Sequence, residues 1–133
     1  MKKTKINSSD FADRMGAYSQ GYQIEIGDAT LIFTTGQIAM DKNGEVLYPN
    51  DPGKQADFIY KSLEKILKEA GASLDDVVKT TVFVTDIKDF AEISKVRNKY
   101  FKKAEPVSTL VEVKNLVKPG CKLEIEVLAV KKK

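Results

Sequence analysis

Residues 50–84, NDPGKQADFIYKSLEKILKEAGASLDDVVKTTVFV, hold the two patterns that decide the fold. Asn50 or Asp51 can cap a helix. Pro52 stands where a first helical turn tolerates proline, because the N–H it lacks would have no partner there. Ala56, Ile59, Leu63, Ile66, Leu67 and Ala70 then recur at helical spacing and form one apolar face. Gly71 predicts the stop, since helices commonly end on a left-handed residue that glycine adopts without steric cost. Ser73-Leu74-Asp75-Asp76 fits a local turn whose serine and aspartate oxygens satisfy backbone donors; a metal-binding acidic pair is the alternative. Val77 to Thr85, rich in valine and threonine, predicts a central strand.

Upstream, Tyr22 to Ile26 and Leu31 to Thr35 are short β-prone runs around Gly27-Asp28-Ala29-Thr30, which predicts a hairpin. Asp41-Lys42-Asn43-Gly44 predicts another turn. Downstream, Asp86 or Asp89 can cap a second helix with Phe90, Ile93, Val96, Tyr100 and Phe101 on its buried face. Pro106 bars helix continuation. Two strands follow, Val107 to Val113 and Leu123 to Val130, separated by the turn Lys118-Pro119-Gly120. The order ββαβαββ predicts an α+β fold, one mixed β-sheet with both helices packed on one face, as a single domain over residues 1–133.

Composition narrows the chemistry. The 133 residues suit one domain able to fold without disulfides or metals. The net charge of +3 is too small to argue for nucleic acid. One cysteine, Cys121, permits no intrachain disulfide and suggests a reducing compartment, so a cytoplasmic location is expected. Its place beside Gly120 in a turn gives no sign of an activated thiol. The start, Met1-Lys2-Lys3-Thr4-Lys5, precedes no apolar segment of signal-peptide type, and no run approaches a membrane span. Histidine is absent, which excludes Ser-His-Asp and Cys-His catalysis and histidine-bearing zinc sites. No metal and no cofactor is expected, so catalysis must come from carboxylates, hydroxyls, lysines, backbone groups or water. The basic residues are uneven in kind: all but Arg14 and Arg97 are lysines.

Strand alternation adds a clue about partners. Val107, Thr109, Val111 and Val113 share one face of their strand, and Ser108, Leu110 and Glu112 the other. Leu123, Ile125, Val127 and Ala129 oppose Glu124, Glu126, Leu128 and Val130. The more apolar set of each strand is expected beneath the helices. The opposite face, with Glu124, Leu110, Leu128 and Val130, predicts a partner subunit or shared cavity; a solvated face with a few aliphatics is the alternative.

Six stretches stand out together: Gly16-Ala17-Tyr18-Ser19-Gln20-Gly21, Phe33-Thr34-Thr35-Gly36-Gln37-Ile38, Ala70 through Val84, Asp86-Ile87-Lys88-Asp89-Phe90, Val111-Glu112-Val113 and Leu123-Glu124-Ile125-Glu126. As an ordered set they resemble the RidA/YjgF (reactive-intermediate deaminase) family. They keep the family's order from near residue 16 to residue 130. The resemblance implies a chorismate-mutase-like fold, a homotrimer, and small-molecule sites in clefts between subunits. It also implies cofactor-free hydrolysis of enamines and imines to 2-keto acids. By motif, Glu124 matches the water-positioning glutamate, Tyr18 the pocket tyrosine and Gly36 the conformationally permissive glycine; read without the motif, Glu124 could be a plain surface carboxylate and Tyr18 an amphipathic residue at a subunit seam. Thr35 and Gly36 could offer hydroxyl and backbone contacts, and a tight strand bend explains both equally well.

One position departs from the pattern. The family's Pro-x-Arg-Ser-x-Val-Glu-Val run is Pro106 to Val113 here, and Ser108 takes the place of the arginine that grips the substrate carboxylate. Leu110 replaces a frequent cysteine, and Lys88 a common asparagine. Ser108 could hydrogen-bond a neutral ligand or be an unremarkable small residue. Lys88 could supply a replacement cation or be a solvated lysine. A divergent imine or enamine deaminase is one functional expectation. A non-catalytic binding or chaperone-like trimer is a second. Translation inhibition or RNA cleavage, labels attached to the family, is a third with little in the sequence to support it, for no RNA-stacking aromatic signature or histidine pair is present. The partners expected are thus a small molecule and further copies of the chain, with neither membrane nor nucleic acid.

Overall fold

Asp51, and not Asn50, caps the first helix: its carboxylate accepts from the Lys54 N–H at 3.1 Å. Helix α1 then runs Pro52–Glu69 in the computed structural model, which describes residues 1–133. Ala56, Ile59, Leu63, Ile66 and Leu67 are fully buried along one side, as their spacing predicts; Tyr60 joins them, and Ala70, expected on that face, is only half-buried. At about 1.5–3 kcal/mol for each large side chain removed from water, this face is a main source of stability. Gly71 follows with φ +71 and its N–H donates to the Lys68 carbonyl at 2.9 Å. Ser73 and Asp76 then form a reciprocal cap on a short 3-10 turn, Leu74–Asp76, so their oxygens serve backbone donors.

The strands are β1 (Lys2–Ile6), β2 (Gly21–Ile26), β3 (Ala29–Thr34), β4 (Val77–Val84), β5 (Val107–Glu112) and β6 (Leu123–Lys132). They form one sheet in the order β1-β2-β3-β6-β4-β5. Every pairing is antiparallel except β4 with β5. The fold is therefore α+β with a mixed sheet, as expected, but it has one strand more than the sequence pattern suggests. β1 pairs with β2 at the sheet edge, and four of its five residues are exposed. Such a strand buries too little to leave an apolar alternation.

Thr80, Val82 and Val84 of β4 lie beneath the helices beside Val127, Ile125 and Leu123 of β6. A bulge at Val78 lets Val77 be buried as well, breaking strict alternation. The faces of β5 are opposite to those expected. The register Thr80↔Ser108 and Val82↔Leu110 puts Ser108 and Leu110 on the helix side, where Leu110 packs against the core. Val107 and Val111 stand on the open face, Val107 66% exposed. As an edge strand, β5 has little covering it on either side, so the register to β4 sets its orientation and its apolar pattern does not.

Helix α2, Phe90–Tyr100, crosses α1, with Tyr100 stacked on Tyr60 at 5.0 Å and Phe101 edge-on to it at 5.3 Å. Ile93 and Phe101 are buried. Phe90, expected on that face, is 45% exposed with the Arg97 guanidinium 5.9 Å from its ring centroid. Neither aspartate caps α2 with its side chain. Asp86 accepts from the Lys88 N–H at 2.9 Å and caps the preceding 3-10 turn, Ile87–Asp89, while Asp89 pairs with Lys122 Nζ at 3.0 Å.

Candidate functional site

β3 and β6 lie side by side from Ala29↔Lys132 to Phe33↔Leu128 and then part. Where the ladder fails, the Thr34 hydroxyl replaces a backbone acceptor, taking the Val127 N–H at 3.1 Å. Thr35 turns its N–H to the Gln20 carbonyl at 2.8 Å. The two chains meet again at Gln37 and Ile125, which exchange bonds of 2.8 and 3.1 Å. Thr35 and Gly36 are thereby withdrawn from the ladder, and the Gly36 N–H donates to no acceptor in the chain. A backbone donor is left beside Glu124.

Glu124 lies across Gly36. A Cβ added to Gly36 would overlap Glu124 Oε2 and stand 2.8 Å from Cδ and 2.9 Å from Cγ. The φ of Gly36 is not in the left-handed region, so the glycine is required here for space and not for conformational freedom. Gly36→Ala is accordingly expected to fold, with a stability loss of about 1 kcal/mol, while driving the Glu124 carboxylate from its seat. Chemical denaturation checks the first part, and an activity loss of at least about 10-fold the second.

The opposite wall comes from the long connection between β1 and β2. Buried Gln20 closes its base: Oε1 accepts from the Ser8 N–H at 2.7 Å, and the Gln20 N–H donates to Asn7 Oδ1 at 3.0 Å. Farther along, the Tyr18 hydroxyl accepts from the Met15 N–H at 3.3 Å. Between this loop and the parted strands lies a cleft of about 360 Å³, lined by Arg14, Tyr18, Gln20, Thr35, Gly36 and Glu124 among others. Burial pushes the Glu124 carboxyl above the ordinary carboxylate range, and the negative charge of Glu126 on the same strand face adds to it. A half-buried carboxyl so placed can take a proton and return it.

Four sequence-derived candidates thus share one cleft: Tyr18, Thr35, Gly36 and Glu124. Three do not. Lys88 sits exposed in the 3-10 turn before α2. Ser108 borders a separate surface depression with Arg97 and Phe101, and Leu110 follows it along the helix side of β5. Both are on the opposite sheet face from Glu124, whose neighbour across β4 is Phe83 and across β5 Val111. Within one chain the two groups cannot meet. Arg14, Gln20 and Val117 were not anticipated in the cleft. Arg14 carried a signal in the sequence: it is one of only two arginines, and it lies two residues before the Gly16–Gly21 motif. Cys121 is buried, which raises its thiol pKa, as does the nearby Glu124 charge; both disfavour a reactive thiolate.

The sequence profile described as Endoribonuclease L-PSP matches residues 10–131. A RutC family protein of Pyrococcus abyssi is 37% identical over 98% of this chain and 99% of its own. The 2-iminobutanoate/2-iminopropanoate deaminase of Rattus norvegicus is 36% identical, covering 94% of this chain and 88% of its own. The crystal structure of E. coli TdcF with bound serine superposes with a TM-score of 0.82 at 34% identity, covering 97% of this chain and 99% of that one.

Proposed function

This chain belongs to the endoribonuclease L-PSP family, to which the RidA/YjgF proteins belong, and from that premise we propose that it hydrolyses small 2-imino acids with Glu124 directing the water. The observation that carries this reading is the seat of Glu124: a carboxyl raised by burial, held over Gly36 beside an unpaired backbone donor. In the reaction, Glu124 takes a proton from water as the oxygen bonds to the iminium carbon. The resulting carbinolamine receives that proton on nitrogen. Its C–N bond breaks and ammonia leaves, while the hydroxyl proton passes to Glu124 as the carbonyl forms and then to the departing ammonia, which restores the carboxylate. Net, an iminium and a water give a 2-keto acid and an ammonium ion. No cofactor is needed.

The same reading includes a homotrimer. Support comes from the open sheet face, where Phe33, Val107, Val111 and Val130 are all exposed, and from the separation of Lys88, Ser108 and Leu110 from the cleft. An edge strand of a second copy placed against the cleft would bring the two groups together. Light scattering should give three times the 14.8 kDa chain mass. The chemistry is tested by generating 2-iminopropanoate in situ and following its loss against the uncatalysed rate. Acceleration supports the proposal. Its absence, with ligand-dependent stabilisation instead, would replace it with a binding role.

A further inference from the structure

We infer that Arg14 holds the substrate carboxylate at the mouth of the cleft, doing from the β1–β2 connection what Ser108 on β5 cannot. This rests on the proposed 2-imino acid chemistry for its substrate class, though not for its geometry. Arg14 lines the Glu124 cleft and also borders the two depressions on either side of it, one shared with Lys5 and Tyr18, the other with Lys42 and Asn43. It therefore stands where these hollows join. Its guanidinium takes part in none of the chain's ion pairs and donates to no side chain or carbonyl. The other arginine, Arg97, is engaged: it donates to Asn98 Oδ1 at 3.2 Å and lies over the Phe90 ring.

The position is held from below. Gln20, Asn7 and Ser8 bind the two ends of the connection together, and the Phe11 N–H donates to the Ser8 carbonyl at 3.5 Å. Arg14 thus projects from a loop with a fixed base, four residues before Tyr18. Lys5 and Lys42 flank it, so the approach is positive, while Asp13 is the acid on that wall and pairs with neither arginine nor lysine. A planar fork of donors suits a carboxylate in two-point contact. With the carboxylate at Arg14, the adjoining C2 carbon of a small 2-imino or 2-oxo acid reaches into the cleft toward Glu124.

Calorimetric titration with 2-oxobutanoate, a stable product-type ligand, against its methyl ester tests this. The wild-type protein should bind the acid in preference to the ester. Arg14→Gln should weaken the acid about 10- to 100-fold and leave the ester unchanged, and Arg14→Lys should fall between. Because Arg14 makes no bond in the fold, the melting temperature of both variants should match wild type. Acid binding that is equal in wild type and Arg14→Gln, or no preference for the acid in wild type, would overturn the assignment. Failure of the two proposals is distinguishable. An Arg14-dependent acid site without imine turnover removes the hydrolase reading alone. Turnover with a KM indifferent to Arg14→Gln removes the arginine alone.

Discussion

Glu124→Gln is expected to lower imine hydrolysis by about 10²–10⁴-fold while raising the melting temperature at neutral pH. The first effect follows from losing the group that accepts the water proton. Glutamine keeps the shape over Gly36 and cannot take part in proton transfer. The second follows from linkage. Burial raises the Glu124 pKa in the folded chain above its unfolded value. Between those two values the folded state binds more protons than the unfolded, so stability falls as pH rises through the window and stays lower above it. Glutamine carries no charge to desolvate and should not show this fall. The same titration gives turnover an acid limb: activity rises with pH as Glu124 ionises, and the midpoint lies above the ordinary carboxylate range. Thermal melts and kcat/KM profiles of both proteins between pH 4 and 8, chosen to span the ordinary and raised carboxyl ranges, check the three statements together. A variant with unchanged turnover would remove Glu124 from the chemistry. One that melts lower at pH 7 would show that its carboxylate is stabilised in the fold.

Gln55→Leu is expected to destabilise the protein by about 3 kcal/mol, lowering the melting temperature by about 10 °C. Gln55 is fully buried on α1 and uses its whole amide. Nε2 donates to the carbonyls of Leu47, Tyr48 and Gly120 at 3.1, 3.1 and 2.9 Å, and Oε1 accepts from the Lys122 N–H at 2.7 Å. One side chain therefore ties the connection before α1 to the turn before β6, the strand that carries Glu124. Leucine fills the volume but leaves the Lys122 N–H and the Leu47 carbonyl without a partner, each costing about 1–3 kcal/mol where water cannot replace it, while the Tyr48 and Gly120 carbonyls keep the Asp51 and Asn50 N–H groups. Gln55→Glu offers a sharper control. It preserves shape but points oxygen at carbonyl oxygens, so its native pKa must be raised, and its stability should fall as pH rises. Equilibrium urea unfolding of the three proteins at pH 5 and pH 7 measures this. Equal midpoints for Gln55→Leu and wild type would show that the amide network contributes nothing net.

The sequence alone was sufficient for α1, its cap region and its glycine stop, the Ser73–Asp76 turn, five of the six strands and the family to which the chain belongs. These features are written in local periodicity and turn chemistry, which act over a few residues, or in motifs that keep their order along the chain. Four of the candidate site residues, Tyr18, Thr35, Gly36 and Glu124, also proved to share a cleft. Tertiary structure decided what long-range pairing controls. β1 is an edge strand, mostly exposed, with no alternation to announce it. The orientation of β5 comes from its register with β4, fixed by a connection through α2, and this moved Ser108 and Leu110 away from Glu124. Gln55 interrupts no helical pattern, and its importance appears only where two distant loops bring their backbone groups to it. Arg14 and Glu124 are separated by more than a hundred residues and share a cleft because β3 leaves the β6 ladder at Thr34, beneath a loop closed by Gln20. Local patterns set which elements form; the pairing of distant strands set which side chains face the same space.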